Sequence, residues 1–233
     1  SHELRTPLNA ILGFSDSMRH EIFGPLGSDR YRTYLNDIWD SGRHLLGIVD
    51  DVLDMSKVEV GTLELDPVEL RLEDVFDHCA RLMTPACDQK AIRLTTSCPA
   101  GNIRFEADER RVNQIMLNIV SNAVKFSPEG STIEITGELS DRGALVIAVR
   151  DHGCGIADED IETVLKPFGQ VASTYARSHG GTGLGLPISK SFVERHGGTL
   201  KIASVAGEGT KVMILFPPDR VRTDAPDNSE AVA

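Results

Sequence analysis

The sequence of 233 residues is short of several things whose absence narrows its class. Its four cysteines, Cys79, Cys87, Cys98 and Cys154, form no CxxC pair and have no histidine at metal-ligand spacing, so neither a zinc site nor a disulfide framework is expected. No stretch approaches the roughly 18 uninterrupted apolar residues that a membrane helix needs, and the N-terminus lacks the charged-then-apolar pattern of a signal peptide. Basic residues are outnumbered, with 24 Lys and Arg against 35 Asp and Glu giving a formal net charge of −11. Phosphate-tracking surfaces need clustered positive charge, so nucleic acid is not an expected partner. Gly (21) and Pro (11) make up an ordinary globular share, which excludes collagen-like and wholly disordered chains. With 40% hydrophobic residues there is enough apolar material for one large or two small packed domains.

The first 57 residues carry two heptad stripes. Leu4, Leu8, Ile11, Met18 and Ile22 recur at alternating spacings of four and three when Ser15 is counted as a seam position. After a break at FGPLG (23–27), Leu35, Ile38, Gly42, Leu45, Val49 and Val52 repeat the rhythm. This predicts a helical hairpin, and a hairpin has a seam but too little mass to enclose it. A homodimer through residues 1–57, closing a four-helix bundle, satisfies the seam most simply. With Leu4 at d and Leu8 at a, His2 falls at b and faces water.

A boundary is expected near 58–62, where VEVGTLELD begins a β-like alternation. Strand patterns follow at 62–71, 91–97, 131–139, 144–150, 199–205 and 210–216, with helical patterns at 72–89, 108–127, 158–165 and 184–196. They interleave without regular βαβ spacing, which predicts one mixed sheet under a layer of helices. The expected division is a dimerisation domain at 1–60, a second domain at 61–218, and a polar disordered tail at 219–233.

Three segments concentrate chemistry. On helix 108–127, Gln114, Asn118, Asn122 and Lys125 form a polar stripe beside the apolar face of Val112, Ile115, Met116, Ile119, Ala123 and Phe126. Alone it reads first as a solvated face; amide oxygens and an ammonium could also hold a magnesium–triphosphate unit. DHGCGI (151–156) puts an acid at a strand end before two glycines, a common turn that also suits a flat ligand with an exocyclic amine. HGGTGLGLPISKSF (179–192) leads glycines into a helix, an anion-binding arrangement that matches neither a Walker loop nor a dinucleotide fingerprint. The preceding 169–179 reads as a lid.

Taken in order, these segments resemble the ATP-binding domain of sensor histidine kinases, within the superfamily that includes gyrase and Hsp90-type ATPases. NIVSNAVKF (118–126) resembles the N box, DHGCG (151–155) the first glycine box, KPF (166–168) the F box and GTGLGL (181–186) the second glycine box. SHELRTPLNAILGFSD (1–16) resembles the H box of the dimerisation and phosphoacceptor domain. The fold so implied is α+β, a dimeric helical bundle followed by an α/β sandwich of the histidine-kinase, gyrase and Hsp90 type.

The resemblance implies an ATP and Mg²⁺ site. Asp151 receives the adenine amine, Asn122 ligands the metal with Asn118 adjacent, and Lys125 meets the phosphates. Gly153, Gly155, Gly181, Gly183 and Gly185, with Thr182 and Leu184 between them, bring backbone to the nucleotide, and Thr210 in the GEGT turn stands at the adenine end. Asn118 occupies the position where ATP-hydrolysing relatives place a glutamate, so ATP is expected to be held without ready hydrolysis.

His2 is the implied phosphoacceptor, with Glu3 orienting its ring and Thr6 matching the position that places water for regulator dephosphorylation. Pro7 removes an N–H opposite the Glu3 carbonyl and marks an expected weak point in the helix. The function implied is the cytoplasmic core of a sensor kinase: γ-phosphoryl passes from ATP to His2, then to an aspartate of a response-regulator receiver, with regulator phosphatase activity as a second role. A non-catalytic nucleotide-binding scaffold that docks a receiver is the alternative. The chain reads as a fragment of a longer sensor that is itself free of membrane contact, although the full protein is compatible with membrane anchoring.

Overall fold

The computed structural model describes residues 2–99, 101–171 and 182–223, with only the backbone described for His2, Glu3, Leu4, Glu59 and Thr223. The chain divides into two compact units between Leu63 and Glu64. Among the described residues no helix is long and apolar enough to cross a membrane, and all four cysteines are free thiols.

The first unit is an antiparallel pair of helices, α1 (His2–Arg19) and α2 (Asp29–Glu59). α2 starts at Ser28, whose side chain accepts the Arg30 N–H, as expected of a serine at a helix entrance. The connector turns on left-handed backbone at Glu21, Gly24 and Gly27.

The heptad stripe splits between two surfaces. Leu8, Ser15, Leu35 and Gly42, all a positions, are buried between the two helices, whereas the d positions Ile11, Met18, Ile38, Leu45 and Val52 remain 43–51% exposed. Gly42 has a steric reason to be glycine, since a Cβ there would lie 2.9 Å from Leu12 Cδ2. Ser15 is tolerated in the seam because its hydroxyl donates to the Leu12 carbonyl at 3.0 Å. Near the start of α1, the Arg5 guanidinium grips Asp50 Oδ1 of α2 from Nε at 2.8 Å and from Nη2 at 2.6 Å. α1 runs unbroken through Pro7.

The second unit contains β1 (Val68–Arg71), α3 (Leu72–Gln89), β2 (Arg93–Ser97), β3 (Ile103–Ala107), α4 (Glu109–Phe126), β4 (Thr132–Leu139), β5 (Leu145–Arg150), α5 (Asp158–Val164), α6 (Gly185–Arg195), β6 (Thr199–Val205), β7 (Gly209–Phe216), a 3₁₀ turn (Pro218–Arg220) and β8 (Val221–Thr223). The main sheet has the order β2-β4-β5-β7-β6, with β2 and β4 parallel and every other pair antiparallel. Alternation along β4, β5 and β7 buries Ile133, Ile135, Leu145, Ile147, Ile214 and Phe216. α4 buries Val112, Ile115, Met116, Ile119, Val120 and Ala123. α6 adds Ile188, Phe192 and Val193, so a sheet covered by helices encloses one core.

A second sheet, β1-β3-β8, accompanies the single one expected. Its central strand, IRFEA, buries Ile103, Phe105 and Ala107 in strict alternation but is only five residues long and carries two charges. The expected disordered tail from 219 also begins too early, because the domain continues to Thr223. Val221 pairs with Phe105, and Arg220 Nη1 donates to the Glu106 carbonyl at 3.1 Å. Residues 224–233 lie outside the described residues. The strand pattern at 62–71 pairs only over 68–71.

Candidate nucleotide-binding site

Asp151 follows the last residue of β5, and β5 ends beside the start of β7, where Arg150 pairs with Lys211. The Asp151 backbone N–H donates to the Thr210 carbonyl at 2.9 Å, which continues that pairing past the strand. Its side chain is buried, and Oδ1 accepts the N–H groups of Gly153 at 2.8 Å and Thr210 at 3.3 Å. Burial raises the Asp151 carboxyl above the usual carboxylate range, while the two N–H bonds oppose that rise by favouring the ionised form. Among the described residues no donor reaches Oδ2.

The glycines near Asp151 are required by the protein's own backbone. A Cβ on Gly153 would lie 2.7 Å from the Phe126 carbonyl oxygen, and one on Gly155 would run into the Val205 carbonyl. Gly209, which the sequence reading passed over, lies against the Asp151 carbonyl at φ +122° and is equally irreplaceable. The sequence assigned Gly153 and Gly155 to ligand approach; their packing already demands glycine without a ligand.

Thr210 stands where the GEGT turn enters β7. Its hydroxyl is 2.9 Å from that of Ser204, its direct cross-strand partner on β6. Ser204 Oγ also accepts the Ile156 N–H at 2.8 Å and donates to the Gly209 carbonyl at 2.8 Å. One serine therefore ties Ile156, at the far end of the turn that follows Asp151, to Gly209 and Thr210 at the start of β7. Sequence reading missed Ser204, since its importance appears only once β6 and β7 are paired in register.

α4 carries the polar stripe. Asn118 Nδ2 donates to the Gly185 carbonyl and to Ser189 Oγ, both at 3.3 Å, so the amide nitrogen is turned to α6 and Oδ1 is directed away from that carbonyl. Asn122, one turn on, is half-buried and makes no side-chain hydrogen bond among the described residues. The Lys125 ammonium lies 4.9 Å from the Phe126 ring centroid, and burial lowers its pKa. The end of α4 is held by Lys90, whose Nζ donates to the carbonyls of Val124 at 2.9 Å, Lys125 at 2.8 Å and Ser127 at 3.3 Å. A cation at a helix C-terminus satisfies both the free carbonyls and the helix dipole.

The second glycine segment is described from Thr182. Thr182 Oγ1 accepts the Leu184 N–H at 3.2 Å, which shapes the entry into α6. The Leu184 side chain is fully buried, so any contact it makes with a ligand falls to its backbone. Gly183, at φ +69°, would place a Cβ 2.8 Å from the Phe168 carbonyl carbon, and its own carbonyl accepts the Phe168 N–H at 3.1 Å. Phe168 itself adopts φ +60° and is exposed, which joins the KPF segment to the glycine segment. Gly181 and the expected lid from 172 onward lie outside the described residues.

In the first unit, His2 and Glu3 occupy the first turn of α1, and Thr6, one turn after His2, is exposed. Among the described residues there is no group of three or more His, Cys, Asp or Glu side chains able to hold a metal. A cation at α4 would therefore rely on an amide oxygen such as that of Asn122, with triphosphate oxygens and water completing its shell, which suits magnesium.

Comparison with known proteins agrees with both units. The model of the His Kinase A phospho-acceptor domain matches residues 1–61, and that of the histidine kinase-, DNA gyrase B- and HSP90-like ATPase matches residues 107–220. The chain is 44% identical over 220 residues to the non-motile and phage-resistance protein of Caulobacter vibrioides, covering 93% of the chain and 26% of that protein. It is 41% identical over 232 residues to the cell-division control histidine kinase PdhS of Brucella suis, covering 96% of the chain and 22% of that protein. The chain thus spans about a quarter of the length of these curated relatives. Full-length ShkA, solved with AMPPNP, superposes with a TM-score of 0.81 at 30% identity, over 97% of this chain and 45% of that one. Acinetobacter baumannii AdeS shares the fold, with a TM-score of 0.66 at 23% identity over 94% of this chain and 99% of that one. With a phosphoacceptor hairpin followed by an ATPase-type sandwich, and with relatives that match both, the chain belongs to the sensor histidine kinase family.

Proposed function

We propose that this chain is the ATP-dependent catalytic core of a sensor histidine kinase acting in the cytoplasm. The observation that carries this reading is the set of groups held in one domain: a buried carboxylate at the end of β5, a carboxamide on α4 with no side-chain hydrogen bond among the described residues, a half-buried ammonium on the same helix, and a glycine-led helix against α4. The phosphoacceptor-type hairpin accompanies it, and ShkA, which shares both parts, is a nucleotide complex.

In this reading Asp151 accepts from the adenine amine, Asn122 holds Mg²⁺ and Lys125 meets the phosphates. A magnesium ion held there would supply neutralisation of the triphosphate charge. The chain's own groups do the rest. A neutral ring nitrogen of His2 attacks the γ-phosphorus, the N–P bond forms, and the bond to the bridging oxygen of ADP breaks. Glu3 orients the imidazole and takes the proton from its other nitrogen. Asn118 has no basic site at neutral pH and so does not activate water against the same phosphorus, which favours transfer over hydrolysis.

The phosphohistidine then donates to an aspartate of a separate receiver domain, and Thr6 serves the reverse dephosphorylation by placing water. Dimerisation through residues 1–57 covers the exposed d row of the hairpin. Incubation with γ-labelled ATP tests the assignment. Acid-labile, alkali-stable label that disappears in His2→Ala is the expected result. Nucleotide binding without any such label would overturn it in favour of a docking scaffold.

A further inference from the structure

We propose that Ser204 is a specificity-determining residue: by taking the proton of the Thr210 hydroxyl, it leaves Thr210 Oγ1 an acceptor and makes the base end of the pocket select an exocyclic amine over a carbonyl. This rests on the ATP reading above and deepens it.

The inference follows from counting protons. Ser204 Oγ has three neighbours: the Ile156 N–H at 2.8 Å, the Gly209 carbonyl oxygen at 2.8 Å and Thr210 Oγ1 at 2.9 Å. A serine hydroxyl holds one proton and two lone pairs. The Ile156 N–H can only donate, and the Gly209 carbonyl can only accept. The single Ser204 proton therefore goes to Gly209, and Thr210 must donate to Ser204. Thr210 has only one proton as well, so its hydroxyl offers nothing but lone pairs to a ligand.

Its neighbour is of the same kind. Both backbone donors to Asp151 bind Oδ1, and Oδ2 has no donor among the described residues. An ionised carboxylate is also acceptor-only. The Thr210 backbone N–H donates to Asp151 Oδ1 at 3.3 Å, so the residue that carries this hydroxyl is bonded directly to the carboxyl group. A purine with a 6-amino group brings donors to these groups. A 6-oxo purine puts an acceptor where that amine stood, with the adjacent N1–H as its only donor on that edge, and the lone pairs set against lone pairs at position 6 are penalised strongly in a desolvated site.

The test compares Mg·ATP with Mg·ITP, whose bases differ at position 6 and in the N1 proton. Equilibrium binding is measured by calorimetry on the full chain, on Ser204→Ala, on Thr210→Val and on the double variant. The unmodified chain is expected to prefer ATP by about 100-fold. Ser204→Ala frees the Thr210 proton to donate to the carbonyl, and the preference narrows to about tenfold. In the Thr210→Val background the Ser204 substitution should leave the ratio unchanged, because the hydroxyl it controls is gone. Equal weakening of both nucleotides in Ser204→Ala, or an unaltered ratio, would reduce Ser204 to a brace of the turn and overturn the assignment. Failure of the unmodified chain to bind ATP would instead remove the ATP reading, and the assignment with it.

Discussion

His196 accepts the backbone N–H of Asp108 on Nε2 at 3.0 Å, while its Nδ1 donates to the Phe192 carbonyl at 2.7 Å. An N–H pointed at Nε2 leaves no room for a proton there, so the fully buried ring is fixed as the neutral Nδ1–H tautomer. Asp108 in turn caps α4, with Oδ1 accepting the Arg111 N–H at 3.0 Å and Oδ2 the Asp66 N–H at 3.1 Å. The pair thus joins the end of α6 to the start of the helix that carries Asn118 and Asn122.

The first prediction is a pH dependence of folding. Burial lowers the His196 pKa, so the unfolded chain binds a proton that the folded chain refuses. The stabilisation is present above the unfolded value of about 6.5 and is lost as pH falls from there toward the lower folded value. Denaturant unfolding of the chain should show stability declining below pH 6.5, with a contribution from this site of up to about 1.4 kcal/mol per pH unit. His196→Gln should flatten that part of the profile. An unchanged slope in the variant would show that another group titrates.

The second concerns Asp151. Asp151→Asn keeps the shape but exchanges an acceptor for a donor and removes the charge, so ATP affinity should drop by about 10 to 100-fold with Tm held. Because burial raises the carboxyl, ATP binding should also weaken on acidification at a higher pH than an ordinary carboxylate would give. Calorimetric titration across pH checks both, and equal affinity in the variant would remove Asp151 from the adenine contact.

Lys90 supplies the third. Lys90→Met retains the aliphatic stem but abandons the carbonyls of Val124, Lys125 and Ser127. The expected cost is about 1 to 3 kcal/mol, read as a lower midpoint in urea. ATP affinity should fall with it, since Lys125 sits on the freed turn. A variant as stable as the parent would mean that water caps the helix equally well.

The fourth addresses assembly. Leu45→Glu combined with Ile38→Glu places charge on the outward d row while leaving the buried Leu8, Leu35 and Gly42 untouched. Sedimentation should show a dimer for the parent and a monomer for the variant, with the nucleotide domain still folded by circular dichroism. A variant that stays dimeric would place the interface elsewhere.

Much of this architecture is visible in the sequence because it depends on local periodicity. The a/d stripe of α1 and α2, the apolar face of α4 and the alternation of β4 through β7 are each written within a single element. β3 and β8 escaped because each is short and gains its strand identity only by pairing, β8 with β3 and β3 with both β8 and β1. The site divides the same way. Asp151, Asn122 and the glycines can be picked out by type and spacing, yet the reason for Gly155 lies at Val205, fifty positions on. Ser204 and His196 carry no local mark at all: two partners of the first sit across a hairpin and the third is 48 residues back, and the N–H that the second accepts is 88 residues away.

Gly209 packed onto the Asp151 carbonyl means that the corner proposed to read the amine is assembled wholly from the ends of β5 and β6 and the start of β7, a rigid antiparallel frame. The groups assigned to the triphosphate come instead from α4 and the entry to α6. On the proposed reading, discrimination between bases and handling of phosphorus fall on separate pieces of scaffold, so substitutions that retune the choice of purine should leave the transfer chemistry undisturbed.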